Sequence, residues 1–212
     1  MCGIVGYIGD KDCFPILIKG LQRLEYRGYD SAGVAVFDGK DAIQVRKKKG
    51  KVEDLLAFVG DDLPTGSMGI GHTRWATHGP PNDVNAHPHT ARFGRLAMIH
   101  NGIIENYESL RTSLEANGHA FVSDTDTEVL IHLIDEVQSR TNTSITDAVQ
   151  MALKEVEGAY AIAIIDANEP DLLIAARKSS PLVIGVCEEN EFHIASDATH
   201  IIEPAASAEE AK

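Results

Sequence analysis

The sequence predicts an α+β fold, with strands gathered in runs and helices in pairs. Two runs of strand-like segments bracket the chain, over 4–8, 32–37, 42–46 and 68–73, and over 159–165, 172–176, 182–187 and 192–196. Two periodic helical stretches follow one another directly between them, one opening at Thr125 and one over 144–156. Regular strand–helix alternation, the mark of a parallel sheet, is missing, so separate layers are expected.

Taken in order, residues 4–8 are short, apolar and bounded by glycines, as a buried strand is. Phe14, Leu17, Ile18, Leu21 and Leu24 recur at helical spacing over 13–25. After the segment Arg27-Gly28-Tyr29-Asp30-Ser31, a strand over 32–37 turns at Asp38-Gly39 and pairs back through 42–46. A short helix is expected over 51–59 and a strand over 68–73. The stretch 74–94 is rich in Gly, Pro, His and Asn without periodicity, and loops of that length in compact domains are functional or disordered. A strand over 96–99 should end at His100-Asn101-Gly102, followed by a helix over 106–117 stopped by Gly118. Thr125-Asp126-Thr127-Glu128 has the spacing of a capping box. Residues 204–212 are small, polar and of low complexity, a frayed tail.

Composition narrows the function. Apolar residues make up 43% and charged residues 24% of 212 residues, ordinary for one globular domain. The formal charge, 19 − 32 = −13, argues against nucleic-acid or anionic-membrane surfaces, which need basic stripes. The one basic run, Arg46-Lys47-Lys48-Lys49, reads as a solvated loop or edge. No segment approaches the ~18 apolar residues of a membrane span, and no secretory leader pattern opens the chain. Three scattered cysteines (2, 13 and 187) do not form a disulfide framework, and a cytoplasmic protein is expected.

Cys2 is the first candidate for chemistry. With Met1 removed it would carry a thiol and a free α-amine together, a nucleophile and its base; alternatively it is a small buried hydrophobe. Arg74 in Gly71-His72-Thr73-Arg74-Trp75-Ala76-Thr77-His78-Gly79 can grip a carboxylate, with Trp75 beside it as a lid or wall, or it can cap a loop. Asn101-Gly102 is a turn signal, or an amide and a backbone N–H aimed at an oxyanion. Asp126 suits a helix start for structural reasons, or it receives a substrate ammonium. His72, His78, His87, His89 and His100 lack metal-ligand spacing. The segment Asn85-Ala86-His87-Pro88-His89 is instead expected to shape a loop whose imidazoles bond to backbone or substrate. Jointly these groups describe a site for an amino acid, and glutamine is the obvious acyl donor.

The motifs CGIVGYIG at 2–9, LEYRGYDSAG at 24–33, HTRWATHG at 72–79, NAHPH at 85–89, HNGIIENY at 100–107 and SDTDTEV at 123–129 resemble one family closely. It is the N-terminal glutaminase domain of the glutamine–fructose-6-phosphate aminotransferases, and the likeness covers about residues 2–202. The resemblance implies an N-terminal nucleophile hydrolase, a four-layer α/β/β/α sandwich with antiparallel sheets, over 1–203. It implies Cys2 as nucleophile and Asn101 and Gly102 as oxyanion hole. Arg74 and Asp126 would hold the glutamine α-carboxylate and α-amine, with Thr77 and His78 lining the pocket. Segment 74–82 would form a lid, Trp75 the gate of an ammonia path, and Arg27 and His87 would lie near the site or its interdomain face. No metal or organic cofactor is implied. The sugar-isomerase domains that take fructose-6-phosphate are not in these 212 residues, the last strands of the sheet are expected to be missing, and full-length relatives are expected to be homo-oligomers. The competing readings are a non-catalytic glutamine-binding or regulatory module and a metal-dependent hydrolase built on the His-rich loop.

Overall fold

A computed structural model describes residues 2–40, 42–187 and 190–198; the tail over 204–212 lies outside them. Among the described residues, ten strands form two antiparallel sheets. The first is ordered β3 (Gln44–Lys49), β2 (Ser31–Phe37), β4 (Met68–Arg74), β1 (Gly3–Ile8), β10 (Phe192–Ala195), β9 (Val183–Val186). The second is ordered β5 (His89–Ala91), β6 (Leu96–Ile104), β7 (Gly158–Asp166), β8 (Leu173–Lys178).

The layering follows from residue alternation, because successive side chains of a strand face opposite ways. In β1, Val5 and Tyr7 pack on α1 (Cys13–Leu24) and α2 (Val52–Val59), whereas Ile4 faces the other sheet. In β6, Leu96 and Met98 pack on α4 (Asp126–Thr141) and its neighbours α3 (Tyr107–Ala116) and α5 (Ile145–Ala152). Ala97 and Ile99, with Ala161, Ala163 and Ile165 of β7, meet Ile4, Met68 and Ile70 between the sheets. Three apolar layers therefore separate helices, sheet, sheet and helices. A fully buried Leu or Ile contributes ~1.5–3 kcal/mol, so these layers dominate stability.

Three expectations change. The hairpin partner of β2 is Gln44–Lys49 rather than 42–46, because the register runs from Val36↔Gln44 to Ser31↔Lys49. The basic run thereby becomes an edge strand. Lys48 faces outward to Asp83 at 2.8 Å, while Lys47 Nζ turns inward and donates to the carbonyls of Val84, Ala86 and Pro88 at 2.9, 2.8 and 3.3 Å. Asn101-Gly102 is no turn, since β6 continues to Ile104 and pairs Gly102 with Tyr160. The capping box is only half made. Thr125 Oγ1 accepts from the Glu128 N–H at 3.3 Å, but the Glu128 carboxylate accepts from the N–H groups of Val122 and Ser123 instead.

Candidate active site

All ten residues singled out from the sequence, Cys2, Arg27, Arg74, Trp75, Thr77, His78, His87, Asn101, Gly102 and Asp126, line one cavity of about 360 Å³. Most come from strands, a helix start and the loop after β4. Cys2 precedes β1, Arg74 closes β4, Asn101 and Gly102 lie in β6, and Asp126 opens α4. The site thus spans both sheets and one helix.

The Cys2 sulfur accepts from the Trp75 N–H at 3.1 Å and faces the Trp75 carbonyl at 3.4 Å. Burial pushes its thiol above the ordinary value; Asp30 adds to this, while the Trp75 N–H and Arg74 work against it. Cys2 is therefore a protonated thiol at neutral pH and needs a base to act.

Arg74 is almost fully buried. Its Nη2 donates to the carbonyls of His78 and Gly79, which ties down the start of the 74–82 loop. Nη1 lies 3.7 Å from Asp30 and makes no hydrogen bond, a buried donor open to a carboxylate. Asp30 also accepts from the Ala76 N–H and the Ser31 hydroxyl, so it holds both Arg74 and the loop. Asp126 accepts from the Ile104 N–H at 2.9 Å through Oδ2, and Oδ1 faces His78 Nδ1 at 3.8 Å, too far for a hydrogen bond. His78 Nδ1 is buried without a partner, and its ring packs edge-on to Tyr107 at 4.9 Å.

Asn101 Nδ2 donates to the Cys2 carbonyl at 3.1 Å, and Oδ1 meets His72 Nε2 at 2.9 Å. Gly102 has φ 133, and a Cβ there would come within 2.0 Å of the Ala159 carbonyl oxygen on the paired strand, so only glycine fits. Trp75 is 55% exposed at the cavity and covers Gly28, while Thr77 sits beside it on the same loop. Arg27 Nη1 donates to the carbonyl and hydroxyl of Ser196 at 3.2 and 3.3 Å, and the same hydroxyl accepts from the Ile4 N–H.

Beneath the cavity lies a layer of buried imidazoles that the spacing of the histidines does not disclose. His72 and His87 stack at 4.3 Å and His87 meets His89 edge-on at 4.8 Å. Thr127 Oγ1 joins His87 Nε2 at 2.8 Å to His100 Nδ1 at 3.0 Å, and Thr125 Oγ1 meets His89 at 3.0 Å. Hydroxyls of the α4 start thus serve His87, His89 and His100, while the backbone of Ala159 also meets His100 and that of His100 meets His72. Burial lowers all four pKa values, that of His72 to about 3, so the rings are neutral at pH 7. Among the described residues no three His, Cys, Asp or Glu side chains are grouped to hold a metal ion. His100, Ile103, Thr125, Thr127, Ser180 and Pro181 complete the cavity. Of these, Thr125 and Thr127 stood out by their capping pattern, and none was singled out from the sequence as a site residue.

Solved structures share this fold. A glutamine phosphoribosylpyrophosphate amidotransferase from B. subtilis superposes with TM-score 0.81 at 28% identity, over 94% of this chain and 43% of that one. The allosteric regulatory enzyme of purine biosynthesis gives 0.82 at 29%, over the same shares. The fold is that of the N-terminal nucleophile hydrolases, an α/β/β/α sandwich with Cys2 at the mouth of its central sheets. Within that class, residues 72–203 match the family described as the glutamine amidotransferase domain, and the chain belongs to it. Among curated relatives, the glutamine–fructose-6-phosphate aminotransferase (isomerizing) of Bacteroides thetaiotaomicron is 58% identical over 203 residues, and that of Chlorobaculum tepidum 53% over 207. Each match covers 96% of this chain and 33% of the relative, so the chain spans about a third of their length.

Proposed function

We propose that this chain hydrolyses the side-chain amide of glutamine through a thioester on Cys2, supplying ammonia for glucosamine-6-phosphate synthesis. The observation that carries the proposal is the convergence of Cys2, Asn101-Gly102, Arg74 and Asp126 on one cavity. Arg74 Nη1, left without a hydrogen bond, takes the α-carboxylate, and the Asp126 carboxylate takes the α-ammonium. With Met1 removed, the Cys2 α-amine accepts the thiol proton and the sulfur attacks the amide carbon. The Asn101 amide and the Gly102 N–H stabilise the oxyanion of the tetrahedral intermediate. Its collapse breaks the C–N bond, and the α-ammonium returns its proton to the departing ammonia. The same amine then deprotonates a water that cleaves the γ-glutamyl thioester, giving glutamate and the free thiol. Thr77, His78 and Trp75 close the cavity, and Arg27 and His87 support it from either side.

The unit is a class II amidotransferase domain over 1–203, working in the cytoplasm, where its cysteines stay reduced. Fructose-6-phosphate would be met by the further length of the longer relatives, in a homo-oligomer. The test is glutamate and ammonia release by the chain with Met1 removed. Cys2→Ala and a form retaining an N-terminal extension should both fall to background. Full activity in Cys2→Ala would overturn the mechanism, and glutamine binding by calorimetry without turnover would make the chain a binding module.

A further inference from the structure

We propose that His72 is a positioning residue that fixes the Asn101 amide with its NH2 toward Cys2, a role resting on the reading of Asn101 as oxyanion donor. The Cys2 carbonyl can only accept, so the Asn101 atom 3.1 Å from it is the nitrogen. The atom 2.9 Å from His72 Nε2 is then the amide oxygen, and the imidazole must present Nε2–H to it. A flipped amide would set two acceptors against each other at Cys2 and two donors at His72. An amide nitrogen carries two protons; one is spent on the Cys2 carbonyl, and the other is left for the oxyanion.

His72 is built for the task. It lies in β4, one sheet away from Asn101 in β6, so its hydrogen bond ties the two sheets together at the cavity floor. The ring is 1% exposed and held flat by the stacked ring of His87. A charged ring would donate from Nε2 as well, but its charge beside Arg74 and the other buried imidazoles is excluded by burial, so the donor is neutral. No role in the chemistry itself falls to His72, since it touches Asn101 rather than substrate.

Two measurements on the Met1-processed chain test this. In the unaltered protein, nitrogen-15 NMR of the His72 ring should show the neutral Nε2–H form from pH 8 down to pH 6, where an ordinary imidazole is already mostly charged. The Nδ1–H form, or a charged ring, would overturn the proposal. In glutamine hydrolysis, His72→Leu should lower kcat about 10–100-fold, less than loss of an oxyanion donor outright, with KM within about threefold. His72→Gln, whose amide N–H reaches the same place, should restore most of kcat. Added to Asn101→Ala, His72→Leu should cost nothing more, and a further additive loss would overturn the proposal. Full kcat in Asn101→Ala would instead sink the oxyanion reading itself. A slow Asn101→Ala beside an unimpaired His72→Leu would sink only the positioning role. If His72→Leu does not fold, the tautomer in the unaltered chain decides.

Discussion

Acidification to pH 5.5 should destabilise this domain by several kcal/mol, because burial keeps the imidazoles of its core from accepting a proton in place. His72, His87, His89 and His100 are fully enclosed, and burial sets each folded pKa below the ordinary value. In the unfolded chain each titrates near ~6.5. The unfolded state therefore binds protons that the folded state refuses. Stability is complete above about pH 6.5 and is lost as pH falls toward the folded values. One unit below 6.5, His72, His87 and His89, held well below that pH, each forfeit ~1.4 kcal/mol, together ~4 kcal/mol, and His100 adds to this in the same direction, against a typical total of ~5–15 kcal/mol. Glu128, held at about 2 although burial alone would raise it, adds its loss only below about pH 4.3, outside this window. The net charge of −13 pushes the other way, since acid relieves self-repulsion. Urea unfolding at pH 7.5, 6.5 and 5.5 measures the slope, and the uptake should approach three protons per molecule unfolded from His72, His87 and His89, with a further contribution from His100. A loss below ~1.4 kcal/mol between pH 7.5 and 5.5 would mean that at most one such histidine stays neutral, and the reasoning would fail.

Two further substitutions probe the same region. Gly102→Ala should force β6 from β7, since its Cβ would meet the Ala159 oxygen at 2.0 Å; a loss of ~3 kcal/mol lowers Tm by roughly 6–12 °C, and an unchanged Tm in calorimetry would contradict the close approach. Thr127→Val keeps the shape but leaves ring nitrogens of His87 and His100 without their shared hydroxyl. Its cost should be ~2–4 kcal/mol in urea unfolding, and less than ~1 kcal/mol would show that the hydroxyl does not hold the two rings.

Much of this molecule is written in local pattern. The 3.6-residue spacing of α1 and the alternation of β1 and β7 are imposed by the faces they bury, so those elements stand in the sequence nearly to the residue. Asn101-Gly102 was not legible as strand, because a turn and a strand glycine facing a neighbouring carbonyl look alike until β7 is in place. The basic run is the edge that the sequence allowed, but the inward turn of Lys47 was not legible, for a similar reason. Lys47 is drawn inward by three carbonyls of a loop almost forty residues away, and nothing local reports them. Of the site, the groups that would touch substrate could be named by their chemistry. The imidazole layer beneath could not, since its hydrogen bonds run to Thr125 and Thr127 on another element.

That division bears on how the site is kept in shape. Cys2 and Arg74 belong to one sheet, Asn101 and Gly102 to the other, and Asp126 to the helix covering the second. Apolar packing between sheets is non-directional and tolerates small slides, whereas catalysis requires placement to within about 0.5 Å. At the cavity floor the apolar layer gives way to His72, His87, His100 and Thr127, whose hydrogen bonds have fixed directions. Asn101 is thereby referred to β4, and the α4 start to the 87–89 segment. Gly33 lets that segment sit directly on β2, where a Cβ would come within 2.1 Å of the His87 carbonyl oxygen. The cost is the acid sensitivity worked out above. Polar contacts that fix the register of the two sheets at the site must be buried, and buried imidazoles must stay neutral. Precision at the thiol and instability in acid are therefore consequences of the same four rings.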